Sequence, residues 1–463
     1  MVKLNPKIFR GFSIRGIVGE DFDSDGMVKI GQGVGRWFNQ RGGRMLVVGY
    51  DARLSSPALH AALCEGLLCT GVSVIDIGLV PTPLLNFAVD HYSASGGIMI
   101  TASHNPPEYN GLKIRSERTV FGEDLQNIYH LASVDGADMV RGNYIKQNPL
   151  ETYIKALFER AQIGRALQVV VDGGNGANGQ VVPSILRKIG FDVFEIFCDV
   201  DGSFPNRDPD PTAPDATKAL VQKVLDVKAD IGLAFDGDGD RVIAVAETGQ
   251  TIMGDQLLML LAGDALEKGR ADKVTYEVLC SQATPDYILA KGGQVFPAPS
   301  GYAFVHNVML STGAQIGGEM SGHFFLLDNI FKFDDAILAA VNLLSLLSMQ
   351  GKPFSALIAE LPRYFASREY RVPCPDEVKS DIVKAMREHY HRAGYPLEEI
   401  DGMRVDFGGT WALIRQSNTQ PMLSLRFESK GSLENMKTVK DAVLEQLKKE
   451  YKQRELVFPE IKD

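Results

Sequence analysis

Apolar positions recur along the chain in a fixed order. Residues 45–78 read MLVVGYDARLSSPALHAALCEGLLCTGVSVIDIG: an apolar run, a polar loop, an amphipathic stretch, a glycine turn and a second apolar run. Residues 167–197 (LQVVVDGGNGANGQVVPSILRKIGFDVFEIF) and 273–299 (KVTYEVLCSQATPDYILAKGGQVFPAP) repeat the order. Short apolar runs bounded by turn residues predict strands, and the amphipathic stretches between them predict helices. Three βαβ units with mostly parallel sheets follow. Each unit then continues through a third apolar run into an unusual loop. GGIMIT leads into ASHNPP, DIGLAF into DGDGDR, and AQIG into GEMSGH. Open α/β sheets bind ligands beyond the carboxyl ends of their strands. Three loops in equivalent places therefore predict three walls of one cleft.

The rhythm changes near Ala366. SREYRVPC, WALIR and PMLSLRFES read as strands, and 376–392 and 433–451 as helices. Glu434 in the first turn of the last helix and Lys448 and Lys449 at its end suit the helix dipole. The expected fold class is α/β: three related α/β domains with mixed, mostly parallel sheets, plus a smaller C-terminal α+β domain, around a central cleft. The expected domains are 1–149, 150–250, 251–365 and 366–463.

Charge and cysteine content narrow the function. The net charge is −10, which argues against a nucleic-acid partner, since such proteins carry a basic face. The five cysteines form no CxxC pair and are too sparse for a disulfide framework, so a reducing compartment is expected. The N-terminus lacks the apolar core of a signal peptide. The longest apolar run, 336–349, is too short for a membrane span and follows Asp334 and Asp335, so it predicts a buried helix with an acidic cap. The expectation is a cytoplasmic protein with no membrane partner, monomeric or dimeric.

The most specific local pattern is Asp236-Gly-Asp238-Gly-Asp240-Arg241. Three carboxylates alternating with glycine can turn toward one point, where a hard divalent cation relieves their repulsion. A calcium loop of the EF-hand type is a rival, with Glu247 at its twelfth position. Arg241 at position six and the flanking apolar runs oppose it. In TASHNPPEYNGLK (101–113), Ser103 follows an apolar strand and has His104 beside it. Neighbours on a strand point to opposite faces, so the pair alone fits chance adjacency better than nucleophilic chemistry. Glu319 and Ser321 of GEMSGH can bind sugar hydroxyls, although a lone Glu in a glycine-rich loop also fits an ordinary surface residue. Arg415, Ser417, Asn418 and Thr419 of RQSNT fit a phosphate cradle or a hydrogen-bonded polar turn.

These four loops, in this order, resemble the α-D-phosphohexomutase family over essentially the whole chain, most of all its bacterial phosphomannomutase/phosphoglucomutase branch. The resemblance implies that Ser103 carries a phosphoryl group in the resting enzyme. It implies Mg²⁺ held by Asp236, Asp238, Asp240 and a phosphoserine oxygen. It implies Arg15, His104, Lys113, Arg241 and His323 near the reacting phosphate, Glu319 and Ser321 on sugar hydroxyls, and Arg415, Ser417, Asn418 and Thr419 on the other phosphate. Lys113 and His323 are the candidate general bases. The implied activity interconverts hexose 1- and 6-phosphates of mannose or glucose through a hexose 1,6-bisphosphate.

The chain departs from the family pattern at three places. Phe12 and Ser13 stand where Tyr and Asp are usual. Leu279 replaces a common Lys, and Tyr302 replaces a common His. The expected contact of Tyr302 with substrate is thus through a hydroxyl, and Leu279 offers no side-chain hydrogen bond. These changes bear on sugar preference, leaving glucosamine phosphate or another sugar phosphate as alternatives, together with a non-catalytic sugar-phosphate binder.

Overall fold

The computed structural model describes residues 4–9, 11–134, 141–417 and 421–460. Four sheets carry the fold. In the first, Gly96–Ile100, Met45–Tyr50, Ser73–Leu79 and Tyr144–Lys146 run parallel; Tyr109–Arg115 and Ile14–Ile17 add antiparallel strands on the Gly96–Ile100 side. In the second, Ile231–Phe235, Gln168–Asp172 and Asp192–Ile196 are parallel, while Val242–Ala246 and Thr251–Ile252 return antiparallel. The third repeats the plan with Gln294–Ala298, Lys273–Glu277 and Ile316–Gly318 parallel and Phe324–Leu326 antiparallel. The fourth sheet is antiparallel throughout. Its short strands Leu397–Glu398 and Met403–Asp406 were too brief to stand out in the sequence pattern.

The three α/β sheets thus share one device. In each, the third parallel strand in chain order doubles back into an antiparallel neighbour. The reversals are the three unusual loops: Ile100 pairs with Leu112, Phe235 with Val242, and Gly318 with Phe324.

One continuous apolar core joins these sheets. It includes Val47 and Phe87 from the first, Val171 and Leu233 from the second, and Val274 and Ile316 from the third. The helix Ala336–Met349 runs through it, capped by Asp335, whose carboxylate accepts from the Leu338 amide. The C-terminal unit has a separate core around Ile382, Ile414, Phe427 and Leu447. It meets the third unit through a small apolar cluster of Val278, Leu279, Trp411 and Leu413. Among the described residues, no helix is long and apolar enough to cross a membrane.

Candidate active site

The Ser103 loop is held from beneath by a buried pair that the sequence reading passed over. Asp51 and Arg53 follow the strand Met45–Tyr50, and both are nearly inaccessible. Asp51 Oδ2 accepts from Arg53 Nε at 3.1 Å and from Thr101 Oγ1 at 2.7 Å. The Arg53 fork donates to the carbonyls of Ser103, Asn105, Pro106 and Tyr109. Thr101 Oγ1 accepts from the Ser103 amide at 2.8 Å. Thus fixed, Ser103 adopts φ 50°, a left-handed conformation uncommon for any residue but glycine, Asn or Asp. That turn corrects the expectation for Ser103 and His104. The strand ends at Ile100, and the two side chains meet, with Ser103 Oγ 3.3 Å from His104 Nδ1. Burial, then Arg241 and Arg15, hold the His104 imidazole well below its usual range.

The acidic hairpin comes up against this serine. Asp236 Oδ2 lies 3.0 Å from Ser103 Oγ. Gly239 makes the turn possible with φ 74°. Thr82, at the start of the helix Thr82–His91, donates from its amide to the Asp238 carbonyl and from its hydroxyl to Asp238 Oδ2 at 2.6 Å. Asp236, Asp238 and Asp240 are fully buried, and one carboxylate oxygen of each lies within 4.8 Å of the others. Burial, then Asp240 and Asp238, push the Asp236 carboxyl well up. Asp238 Oδ1 is buried without a hydrogen-bond partner. Crowded carboxylates with an unsatisfied oxygen fit a divalent cation. The flanks are strands, and Glu247 instead accepts from the amide and hydroxyl of Ser355, so the calcium-loop rival fails.

Lys113 reaches this cluster from the strand Tyr109–Arg115. Its ammonium is 2.7 Å from Asp238 Oδ2 and also contacts Asp240 Oδ2. Burial opposes its charge, but the aspartates outweigh burial and raise its pKa. The third hairpin is stitched to the second by the Val242 amide, which donates to the Gly322 carbonyl at 3.0 Å. A Cβ on Gly322 would stand 2.5 Å from the Val242 carbonyl oxygen, so this crossing needs glycine. His323 Nε2 lies 3.2 Å from Asp240 Oδ1, and Nδ1 lies 2.6 Å from Glu319 Oε2. Burial lowers the His323 pKa, but Asp240 and Glu319 prevail and lift it to about 10. Lys113 and His323 therefore hold their protons in this arrangement. Glu319 is buried rather than a surface residue; it also accepts from the Gly301 amide and the Ser321 hydroxyl.

These groups open into one cleft. Arg15, Ser103, His104, Lys113, Arg241, Tyr302, Glu319, Ser321 and His323 line it, and Arg415 and Ser417 face it from the fourth unit. Arg15 donates to Asn105 Oδ1, and burial followed by Arg53 lowers its pKa to about 10. Arg415 Nε donates to Asp401 Oδ2 at 2.6 Å, and the same oxygen accepts from the Ser300 amide across the unit boundary. Asn418 and Thr419 lie outside the described residues. Phe12 and Tyr302, two of the departures from the family pattern, are neighbours: the rings are 6.3 Å apart and Tyr302 donates to the Phe12 carbonyl. Leu279 also borders the cleft, and its carbonyl accepts from Arg426. Glu277, Glu369 and Arg371 complete the wall. They were not singled out in the sequence, because each is a lone charge at the end or edge of a strand.

Fold and cleft define a class of protein in which three related α/β sheets each lend one hairpin to a serine- and carboxylate-lined centre, with a strand-borne arginine from a fourth unit on the same cleft. Models of the phosphoglucomutase/phosphomannomutase family match in chain order: alpha/beta/alpha domain I over 6–133, domain II over 151–249, domain III over 253–365, and the C-terminal domain over 369–446. A phosphomannomutase/phosphoglucomutase of Pseudomonas putida is 38% identical over 445 residues, 96% of each chain. A phosphoglucomutase of Neisseria gonorrhoeae is 34% identical over 96% of this chain and 98% of its own. The crystal structure of a phosphoglucomutase/phosphomannomutase family protein from Burkholderia thailandensis superposes with a TM-score of 0.91 at 32% identity, covering 99% of this chain and 100% of that one. The chain belongs to the phosphoglucomutase/phosphomannomutase family.

Proposed function

We propose that the protein is a phosphohexomutase that interconverts hexose 1-phosphate and hexose 6-phosphate, of mannose, glucose or both, through a phosphoserine at Ser103. The observation that carries this reading is Ser103 Oγ, 3.0 Å from Asp236, in a cleft that Arg415 of the fourth unit also lines. A serine oxygen next to a cation-binding loop suits phosphoryl storage, and a guanidinium on the same cleft suits a second, non-reacting phosphate.

In the forward half-reaction a sugar hydroxyl oxygen forms a bond to phosphorus while the bond from phosphorus to Ser103 Oγ breaks. The hydroxyl proton leaves to a base in the cleft, for which Lys113 and His323 are the candidates once a deprotonated form is available. The product is a hexose 1,6-bisphosphate. It turns over, so that its other phosphate faces Ser103 and the first occupies the cradle of Arg415 and Ser417. Ser103 Oγ, protonated through His104 on its release in the first half-reaction, then attacks that phosphorus as the bond from phosphorus to the sugar oxygen breaks; the serine proton passes back toward His104 Nδ1, the base of the first half-reaction returns its proton to the sugar oxygen, and the phosphoserine is restored. Arg241, Arg15 and Lys113 balance the charge on the moving phosphoryl group. Asp236, Asp238, Asp240 and a phosphoserine oxygen would hold Mg²⁺, which supplies Lewis-acid neutralisation of phosphoryl charge. Glu319, Ser321 and Tyr302 are assigned to sugar hydroxyls.

The test is a transfer assay on full-length protein with Mg²⁺ and a trace of the matching 1,6-bisphosphate. Mannose, glucose and glucosamine 1-phosphates are compared. Conversion to a 6-phosphate is expected and ranks the sugars. Folded, phosphorylated protein that converts none of them would overturn the reading in favour of a sugar-phosphate binder.

A further inference from the structure

Beside the proposed transfer groups lies a second cluster of ligand atoms, which shares Asp240 and His323 with them and adds Asp334. Asp240, His323 and Asp334 each place one ligand atom within 4.8 Å of the others. All three residues are at most 2% exposed. Asp334 Oδ2 is buried without a hydrogen-bond partner, while Asp240 Oδ1 and His323 Nε2 face only each other, 3.2 Å apart. The other atoms of the same groups are engaged. Asp240 Oδ2 contacts Lys113, His323 Nδ1 is paired with Glu319 Oε2 at 2.6 Å, and Asp334 Oδ1 accepts from Asn86 Nδ2 at 3.4 Å.

A buried carboxylate oxygen left unsatisfied next to that pair is costly unless something binds it. The pairing of His323 Nδ1 with a carboxylate is the arrangement that orients a metal-bound imidazole and strengthens its other nitrogen as a donor. The 3.2 Å between His323 Nε2 and Asp240 Oδ1 is close to the edge of a zinc tetrahedron, about 3.4 Å from bond lengths near 2.1 Å. One imidazole with two carboxylates suits a borderline transition ion better than Mg²⁺, which prefers oxygen alone. His323 borders the main cleft, and Asp334 borders a small pocket that shares Lys113 and Tyr302 with that cleft, giving an ion a way in.

We propose that Asp240, His323 and Asp334 form a second divalent-cation site of the zinc type, distinct from the three-aspartate loop and joined to it through the two oxygens of Asp240. Binding there displaces the proton from His323 Nε2 and ties that nitrogen up. If the proposed role of His323 in transfer holds, the ion inhibits without displacing Mg²⁺ from the loop. The site itself can be tested without that role.

The probe is Co²⁺, added to full-length protein in a large excess of Mg²⁺ and followed by visible absorption and equilibrium dialysis. One Co²⁺ per chain is expected to remain bound, with the stronger bands of a four- or five-coordinate site containing nitrogen. Asp334→Asn should weaken retention by about tenfold or more, and Asp334→Glu should restore a bound ion with a shifted spectrum. Complete displacement of Co²⁺ by Mg²⁺ from the wild-type protein would overturn the proposal, and that result needs no variant to fold. Unchanged retention in a folded Asp334→Asn protein would overturn it equally.

Discussion

Arg53 Nη2 donates to the Ser103 carbonyl at 2.8 Å, and the same guanidinium also takes the carbonyls of Asn105, Pro106 and Tyr109. A single buried cation therefore sets the path of the whole serine loop. Arg53→Met removes those donors and strands Asp51, so stability should fall by about 3–5 kcal/mol, the usual cost of breaking a buried charged pair. Misplacing Ser103 by even an ångström should lower kcat by about 10²-fold. Urea melts and steady-state rates check both. A variant with wild-type stability and kcat would show that the loop keeps its path without Arg53.

Ser103→Ala should abolish normal turnover, by about 10³-fold or more, while the melting profile stays near wild type. Its hydroxyl makes few contacts beyond Asp236 and His104, so little packing is lost. Intact-mass analysis should show a phosphorylated wild-type chain and none of that modification in the variant. Near-normal activity in the variant would remove Ser103 from the mechanism.

How much of this was legible follows from where each signal sits. The four loops announce themselves because their chemistry is local: DGDGDR needs no distant partner to be noticed. Their convergence was readable only as an analogy between three strand ends. The supports were not readable. Arg53 is separated by 50 or more residues from the carbonyls it holds, and Thr82 by 156 from Asp238. Asp334 looked like part of a helix cap, a role that Asp335 performs alone. The closeness of the Ser103 and His104 side chains is hidden for a related reason: a positive φ cannot be seen in a sequence when the residue is not glycine.

His306 offers a pH test away from the reaction. Its ring is 1% exposed, stacks on Phe325 at 5.4 Å and lies against Phe333. Burial, then Arg115, lower its pKa from 6.5 to about 4. The unfolded chain therefore takes up the proton first. Stability is full above about pH 6.5 and declines as pH falls toward about 4, by on the order of 3 kcal/mol from this residue. His306→Phe should flatten that part of the stability profile. Equal acid sensitivity in variant and wild type would mean that His306 titrates normally.

Metal removal should silence the enzyme reversibly. Thorough chelation is expected to stop turnover and Mg²⁺ to restore it, since Lewis-acid neutralisation of phosphoryl charge is worth several kcal/mol. Asp238→Asn should lower kcat by about 10²–10³-fold at ordinary Mg²⁺ and raise the Mg²⁺ needed for half-maximal rate. It should leave the serine loop in place, because Thr82 can still donate to the residue-238 carbonyl. Rates indifferent to chelation would rule out a metal role for the three aspartates.

Leu279 and Tyr302 should set the sugar preference, and their surroundings predict different costs for changing them. Tyr302 borders the cleft with its ring 5.7 Å from the Lys113 ammonium, so Tyr302→His keeps an aromatic polar group there. Leu279 is 5% exposed and packs with Val278, Trp411 and Leu413, where the third and fourth units meet. Leu279→Lys would set an ammonium beside Arg426, and only its chain length lets it reach out toward Glu277 in the cleft. A stability loss of about 1–3 kcal/mol is therefore expected for Leu279→Lys, and little for Tyr302→His. Together the two changes should alter the ratio of kcat/KM for mannose and glucose 1-phosphates by about tenfold, or about 1.4 kcal/mol. Phosphorylation of Ser103 by a 1,6-bisphosphate should change less, because the Tyr302 hydroxyl bonds the Phe12 carbonyl and the Leu279 side chain has no hydrogen-bonding group, so neither hydrogen-bonds Ser103 or the aspartates. A ratio that stays put in a folded double variant would move sugar choice to the Glu319–Ser321 hairpin, whose carboxylate and hydroxyl also line the cleft.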